Sequence, residues 1–335
     1  MQMFIRGLVM NSWRRWLALI CAMAVMAFAM GAGCAGGSTA AAPIVTPKFD
    51  FDRAFADLDK QLTFGFRVPG TAAHQKVQEW IVEQIKPSCA TVTLQPFKDM
   101  LGGKEVQMNN IIGSIPGNGK APREVVIVAA HWDSRPTADY DPDVKKRLTP
   151  IPAANDGASG VAVLIEIGRQ LKANPISRDV LLVFFDGEDF GTYPDHDQDR
   201  NISKMLLGSK FYAKNLPKSK PSWGILLDMI GDKDLDIYRE PNSNKYAKEV
   251  NDRVFAAAKE MGYMRTGKTS GFIDKPNSFA IVDDHIAINE AGVPMIDLID
   301  FNYRPWHTTL DDITQVSPDS LKIVGNTVLY ALQMP

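Results

Sequence analysis

The chain has 335 residues, 45% of them hydrophobic and 23% charged, with a formal net charge of −2. That composition excludes a disordered chain, supplies apolar side chains for one large core, and lacks the basic surplus that nucleic-acid binding uses. Three cysteines also exclude a disulfide-built scaffold.

In chain order, residues 1–33 read as an export signal. Arg6, Arg14 and Arg15 precede the apolar run LALICAMAVMAFAM, and the small-residue stretch GAGC follows it. The apolar run is short for a membrane span and suits a signal peptide. Cys34, after Ala32 and Gly33, resembles the cysteine of a bacterial lipobox, with Gly31 where that motif usually has leucine. It is expected to become the lipidated first residue of an exported protein of the cell envelope, and this lipid is the one expected link to a membrane. Ordinary cleavage nearby, giving a soluble product, is the alternative; twin-arginine export is disfavoured because SWRRWLA lacks a serine directly before the arginine pair. Losing residues 1–33 removes three arginines and no acid, so the net charge moves from −2 to −5. Cys21 leaves with the signal, and Cys89 is then left with no partner for an internal disulfide. Residues 34–50, rich in small residues and proline, read as a tether, and the folded domain is expected from about Phe51 to the end.

From Thr71, the spacing of Val77, Trp80, Ile81 and Ile85 predicts an amphipathic helix. EVVIVAAH (124–131), DVLLVFFD (179–186), WGILLDMI (223–230) and VPMIDLID (293–300) are unbroken apolar runs, the pattern of strands covered on both faces. Between and after them, residues 160–174, 244–262 and 317–333 have helical periodicity, the last opened by Ser317 as an N-cap. Strands alternating with helices predict a three-layer α/β/α sandwich with a mostly parallel central sheet. No internal repeat is present.

Ligands in such sheets bind beyond the carboxyl ends of the strands. His131 and Asp133 end the first apolar run, Asp186, Glu188 and Asp189 the second, Asp228 the third, and Asp297 to His307 follow the fourth. Taken singly, an Asp after a strand caps a helix or forms a turn, as Asp156 in AANDGASG could, and a lone His is a hydrogen-bonded structural residue. The joint pattern of His131, Asp156, Asp189, Asp228 and His307 is not accounted for in that way. Crowded ionised carboxylates cost several kcal/mol, on the order of a lost buried ion pair, unless a cation answers them. Mixed imidazole and carboxylate ligands suit catalytic Zn²⁺, and the adjacent Glu188 is free for proton transfer.

AAHWDS, ANDGASGVAVLIEI, FFDGED, LLDMIG, DDHIAINEAGVPMIDLID and WHTTLDD resemble, in that order, the motifs of the co-catalytic zinc aminopeptidases and of the zinc-dependent glutaminyl cyclases that share their fold. The resemblance covers residues 51–335 and implies a zinc-exopeptidase-like domain acting on peptide or protein N-termini. It implies that Asp156, Asp189 and His307 hold the zinc common to both activities and that Glu188 is the proton-transfer group. His131 and Asp228 match the ligands of the aminopeptidases' second zinc. Trp306 matches the tryptophan lining the cyclase pocket, and Asp283 a cyclase acid in the hydrogen-bond network around the substrate. These two favour the cyclase, with one zinc, over the two-zinc aminopeptidase; a non-catalytic lipid-anchored binding domain is a third reading. The chain departs from many animal cyclases in having Asp297 where they carry His, no disulfide near the site, and Asp189 in place of Glu, features that look like a bacterial branch. TYPDHDQDRN (192–201), with Asp195, Asp197 and Asp199, reads as a solvated acidic loop flanking the site, since it lacks the glycine turn and bidentate Glu of a calcium loop.

Overall fold

The structure is a computed structural model that describes residues 44–191 and 204–335. The signal peptide, Cys34, most of the tether and the acidic loop at 192–201 lie outside the described residues. Among the described residues, no helix is long and apolar enough to cross a membrane.

Two helices open the domain, α1 (Phe51–Thr63) and α2 (Ala72–Ile85), each capped by the side chain before it, Asp50 and Thr71. A hairpin follows, β1 (Thr91–Leu101) and β2 (Lys104–Ile115). The predicted buried runs are β3 (Val125–His131), β4 (Asp179–Phe185), β5 (Trp223–Asp228) and β8 (Met295–Ile299). The remaining elements are α3 (Ala158–Ala173), α4 (Leu207–Lys214), β6 (Asp236–Arg239), α5 (Pro241–Tyr246), α6 (Lys248–Glu260), β7 (Gly271–Pro276), α7 (Asp284–Glu290) and α8 (Pro318–Ala331).

The main sheet has the order β1-β2-β4-β3-β5-β8, with β4, β3, β5 and β8 parallel and the hairpin antiparallel along one edge. Alternation along the strands divides the core into two layers. Val126, Val128, Ala130, Leu182, Ile225 and Leu298 face one way, into a core shared with α1, α2, α3, α6 and α8. Ile127, Ala129, Val183, Phe185 and Leu226 face the other way, toward Tyr212 of α4 and Ile288 of α7. The domain is thus a three-layer α/β/α sandwich, and the strands that read as unbroken apolar runs are those covered on both faces. The carboxyl ends of β3, β4 and β5 lie side by side, which sets the place of the site.

Three boundaries differ from the sequence reading. The segment 244–262 is two helices, because Ala247 leaves the helical region (φ −140°, ψ 42°) between α5, which packs on β8, and α6, which packs on α8. β5 stops at Asp228 instead of Ile230 because Met229 turns into the left-handed region, φ 46°. The domain also begins before Phe51. Val45 N donates to Gln333 Oε1 at 2.8 Å, Phe49 N donates to Asn326 Oδ1 at 3.1 Å, and the Phe49 ring is buried on α8, so the last residues of the expected tether belong to the core.

Candidate metal centre and active site

β3 ends on His131, β4 runs into the turn carrying Glu188 and Asp189, β5 ends on Asp228, and the loop after β8 supplies Trp306 and His307. Asp156 stands in the turn before α3, followed by Gly157 at φ 98°. A side chain at Gly157 would sit 2.9 Å from the Asp133 carbonyl oxygen and from the His131 ring, so only glycine lets this turn pass so close to β3. His307, at φ 55°, is held in a conformation non-glycine residues rarely adopt. Such strain collects at functional sites because the surrounding structure must pin it.

Asp156 is the centre of the arrangement. Its Oδ1 lies 3.1 Å from His131 Nε2, which is 3.2 Å from Asp228 Oδ1. Its Oδ2 lies 3.6 Å from His307 Nε2, which is 3.4 Å from Asp189 Oδ1. Two buried triplets therefore share one carboxylate: His131, Asp156 and Asp228, and Asp156, Asp189 and His307, each with its ligand atoms within 4.8 Å of one another. Ligands held about 2.0–2.2 Å from one ion cannot be much more than about 4 Å apart, so both triplets are near that limit before any closure around a metal. Asp156 Oδ2 and Asp189 Oδ2 are buried and accept no hydrogen bond. Ionised oxygens in that position call for a cation, and the carboxylate and imidazole set fits zinc.

Part of the balancing charge comes from the chain itself, which the sequence reading missed. Buried Arg135 donates from Nη1 to Asp189 Oδ1 at 2.5 Å and holds Asp139 with its other nitrogens, at 2.9 and 2.5 Å. Burial alone would push the Asp189 carboxyl up, but His307 and Arg135 beside it hold it down to about 2. Arg135 occupies one oxygen of Asp189 and leaves Oδ2 for a metal. Burial, then the charge of Asp189, has the opposite effect on Glu188 and raises its carboxyl well above the usual range. Adjacent residues are thus set apart, one as a permanent anion and the other as a group that holds a proton readily. Burial lowers the His131 imidazole, but Asp133, Asp156 and Asp228 outweigh it and raise it well above its ordinary value.

Supporting groups fix these side chains. Asp133 accepts from the backbone N–H of Glu188 (3.0 Å) and of Asp189 (3.2 Å), tying the β4 turn to the end of β3. Asp311 accepts from Asn155 N (2.8 Å), Asp156 N (3.1 Å) and the Tyr303 hydroxyl (2.6 Å). Arg67 lies buried beneath the site and donates to the carbonyls of Trp132, Pro152 and Ala153. Asp186, the first acid of FFDGED, takes no part in either triplet; it pairs with His74 at 2.7 Å and accepts from Asn109 N. Asp311 was legible as the acid four residues after His307 in WHTTLDD, whereas nothing local marked Arg67 or Arg135.

Trp306 stacks on His307 with ring centres 3.9 Å apart, Tyr140 and Phe301 flank it at 4.8 Å each, and Trp306 and Phe301 line a cleft with Asp156, Glu188, Asp189 and Asp228. Asp283 lines the same cleft and also caps α7, its Oδ1 accepting from Asp284 N at 2.5 Å while Oδ2 has no hydrogen-bond partner. Capping and site placement therefore coexist in one side chain. Behind it, Asp283, His285 and Asp297 form a third buried group, with His285 3.9 Å from Asp297 and 3.5 Å from Glu240. The structure brings every residue of the sequence-based set, His131, Asp156, Glu188, Asp189, Asp228, Asp283, Trp306 and His307, to this one end of the sheet. Cys89, the free cysteine of the described residues, lies elsewhere, against Gly113 of β2.

Residues 110–332, which contain every residue of the sequence-based set, match Peptidase family M28. The chain belongs to that family. As an M28 enzyme it is similar in structure to a leucine aminopeptidase precursor from Bacteroides thetaiotaomicron, with a TM-score of 0.81 and 34% identity over 88% of this chain and 100% of that one. It is also similar to a glutaminyl cyclase of the same organism, solved with N-acetylhistamine, at a TM-score of 0.79 and 35% identity over 87% of this chain and 100% of that one. Aminopeptidase YwaD of Bacillus subtilis is 28% identical over 72% of this chain, which spans about half (47%) of that relative.

Proposed function

We propose that this M28 enzyme is a zinc-dependent glutaminyl-peptide cyclotransferase, converting N-terminal glutamine of peptides or proteins to pyroglutamate with release of ammonia. The observation that supports this most is the aromatic wall: Trp306, stacked on His307 with Phe301 beside it, lines the same cleft as Glu188. Such a wall suits the flat γ-amide and backbone of a glutamine. The likeness to a solved glutaminyl cyclase over 87% of the chain supports the same reading.

Asp156, Asp189 and His307 would hold the zinc, whose chemistry when bound is to polarise the γ-carbonyl of the substrate. The remaining work falls to the chain. Trp306 and Phe301 hold the glutamine in one rotamer, so that its α-amine attacks the γ-carbon of the same residue and the entropy of bringing reactants together is largely met by binding. Glu188 takes the amine proton as the new C–N bond forms and delivers it to the departing ammonia as the amide C–N bond breaks. Its raised affinity for a proton fits both halves of that exchange. The negative cleft, with Asp228 and Asp283 on its walls, attracts the substrate's ammonium, which gives one proton to solvent to become the amine that attacks. The amino-terminal pattern supports placing this activity in the cell envelope.

One observation favours a second reading. His131 and Asp228 complete a second triplet around Asp156, the ligand set of a two-zinc aminopeptidase in which Glu188 would take the proton of an attacking water. The deciding experiment offers the zinc-loaded protein one peptide beginning with Gln and one beginning with Leu and follows their masses. The cyclase reading expects the Gln peptide to lose the mass of ammonia with no residue removed. Release of Leu with the Gln peptide unchanged would overturn it in favour of the aminopeptidase.

A further inference from the structure

The aromatic wall does not stop at the cleft. From His307 a series of rings leads outward: Trp306 at 3.9 Å, Phe301 a further 4.8 Å, and Phe279 a further 5.5 Å in an edge-on contact. His307 is buried, Trp306 and Phe301 are half-buried, and Phe279 is 44% exposed. Val282, 62% exposed, lines the cleft from the facing segment together with Ile281. The stretch from Asn277 to Val282 carries no charged residue, whereas the floor below it is crowded with carboxylates. Large apolar side chains that are left exposed side by side, continuous with a catalytic cleft, mark a place where something apolar is seated.

We propose that Val282 and Phe279, with Phe301 between the cleft and solvent, form a specificity rim that takes an apolar side chain directly after the N-terminal glutamine of the substrate. This rests on the cyclase reading, which seats the glutamine against Trp306. An extended peptide advances about 3.3 Å per residue, so the residue after that glutamine lies beside Phe301 and Val282, and a side chain as long as leucine extends from there toward Phe279. Among the described residues that line the cleft there is no Lys or Arg, so an acidic second residue meets the carboxylates of Asp228 and Asp283 without a side-chain cation to pair with. A polar neutral residue loses the apolar contact alone. The rim thus ranks substrates by their second residue, apolar above neutral polar above acidic.

The test uses four peptides of the form Gln-X-Ala-Ala, with X as Leu, Asn, Asp or Lys, and ammonia release by the zinc-loaded protein as the readout. The expected kcat/KM is roughly tenfold higher for Leu than for Asn, the scale of one well-seated apolar group, and lower again for Asp. V282D should bring the Leu to Asn ratio below about threefold, and F279A should lower it to a lesser degree; both positions are exposed, so the melting temperature should stay within about two degrees of the parent's. Equal kcat/KM for Leu and Asn, with Asp lower, would overturn the apolar rim and leave charge exclusion in its place. Retention of the full Leu to Asn ratio in both variants would overturn the assignment to these residues. Ammonia from none of the four peptides would overturn the cyclase reading and the rim with it, whereas release from all four at one rate would overturn the rim alone.

Discussion

At the amino ends of the parallel strands, Glu124 pairs with Arg178 and accepts the Trp223 indole N–H at 3.0 Å, while Arg178 donates to the Leu332 carbonyl at 2.7 Å and lies over the Trp223 ring. Nearby, Arg123 pairs with Asp179 at 2.5 Å, and that carboxylate also takes Gly117 N. Each of these two carboxylates has its own arginine, and Arg253, over the same Trp223 ring, donates to the Met334 carbonyl. At the carboxyl ends of the same strands, Asp133, Asp156, Glu188, Asp189, Asp228 and Asp283 crowd around two histidines, and among the described residues Arg135 is the guanidinium that pairs directly with a carboxylate of either triplet. Asp156 Oδ2, Asp189 Oδ2 and Asp283 Oδ2 are buried there without a hydrogen-bond partner. The contrast separates charge that serves the fold from charge that serves chemistry: the first is neutralised within the chain, and the second is left in surplus for a cation from outside.

Stripping the metal should have the largest effect and tests the contrast directly. A chelator is expected to lower turnover by more than about a thousandfold and to lower the melting temperature, both restored by added zinc, because ligands from separate segments make metal binding part of folding stability. An unchanged melting temperature in calorimetry would mean that protons, not a metal, answer the surplus. Glu188→Gln comes next, with turnover down by about two to four orders of magnitude and zinc content unchanged by metal analysis. Loss of zinc as well would exchange its role with that of Asp189. Trp306→Ala should reduce kcat/KM for a Gln peptide by roughly ten- to a hundredfold through lost positioning, with zinc again retained. The smallest effect belongs to the other end of the sheet. Glu124→Gln breaks a pair that is about one-third exposed on the acid's side, so it should cost about 1 kcal/mol in denaturant unfolding and leave turnover alone. A fall in turnover there would show that the two ends are coupled.

The parts of this contrast that could be read from the sequence are those with local signatures. β3, β4, β5 and β8 were legible because strands covered on both faces have no polar positions to interrupt them, and each announces its carboxyl end with an Asp or His. The β1–β2 hairpin was not anticipated, although Gly102 and Gly103 at φ 54° and 77° form its turn, because edge strands with one wet face look like ordinary polar chain. The helix break at Ala247 has no Gly or Pro to mark it and follows from what α5 and α6 pack against. Arg135 could not be assigned because its partner Asp189 lies 54 positions away, and an Arg has no spacing rule that ties it to a metal ligand.

Phe49 has a practical consequence. A side chain at Gly325 would come within 2.4 to 2.7 Å of its ring, so α8 is shaped to receive this one aromatic residue from the chain that precedes the first helix. A truncation designed to begin at Phe51, where the first helix starts, would remove the ring and leave a groove in the last helix of the core. A cut placed before Val45 keeps both the ring and the Gln333 hydrogen bond, so the domain as a folding unit is longer at its front end than its regular secondary structure indicates.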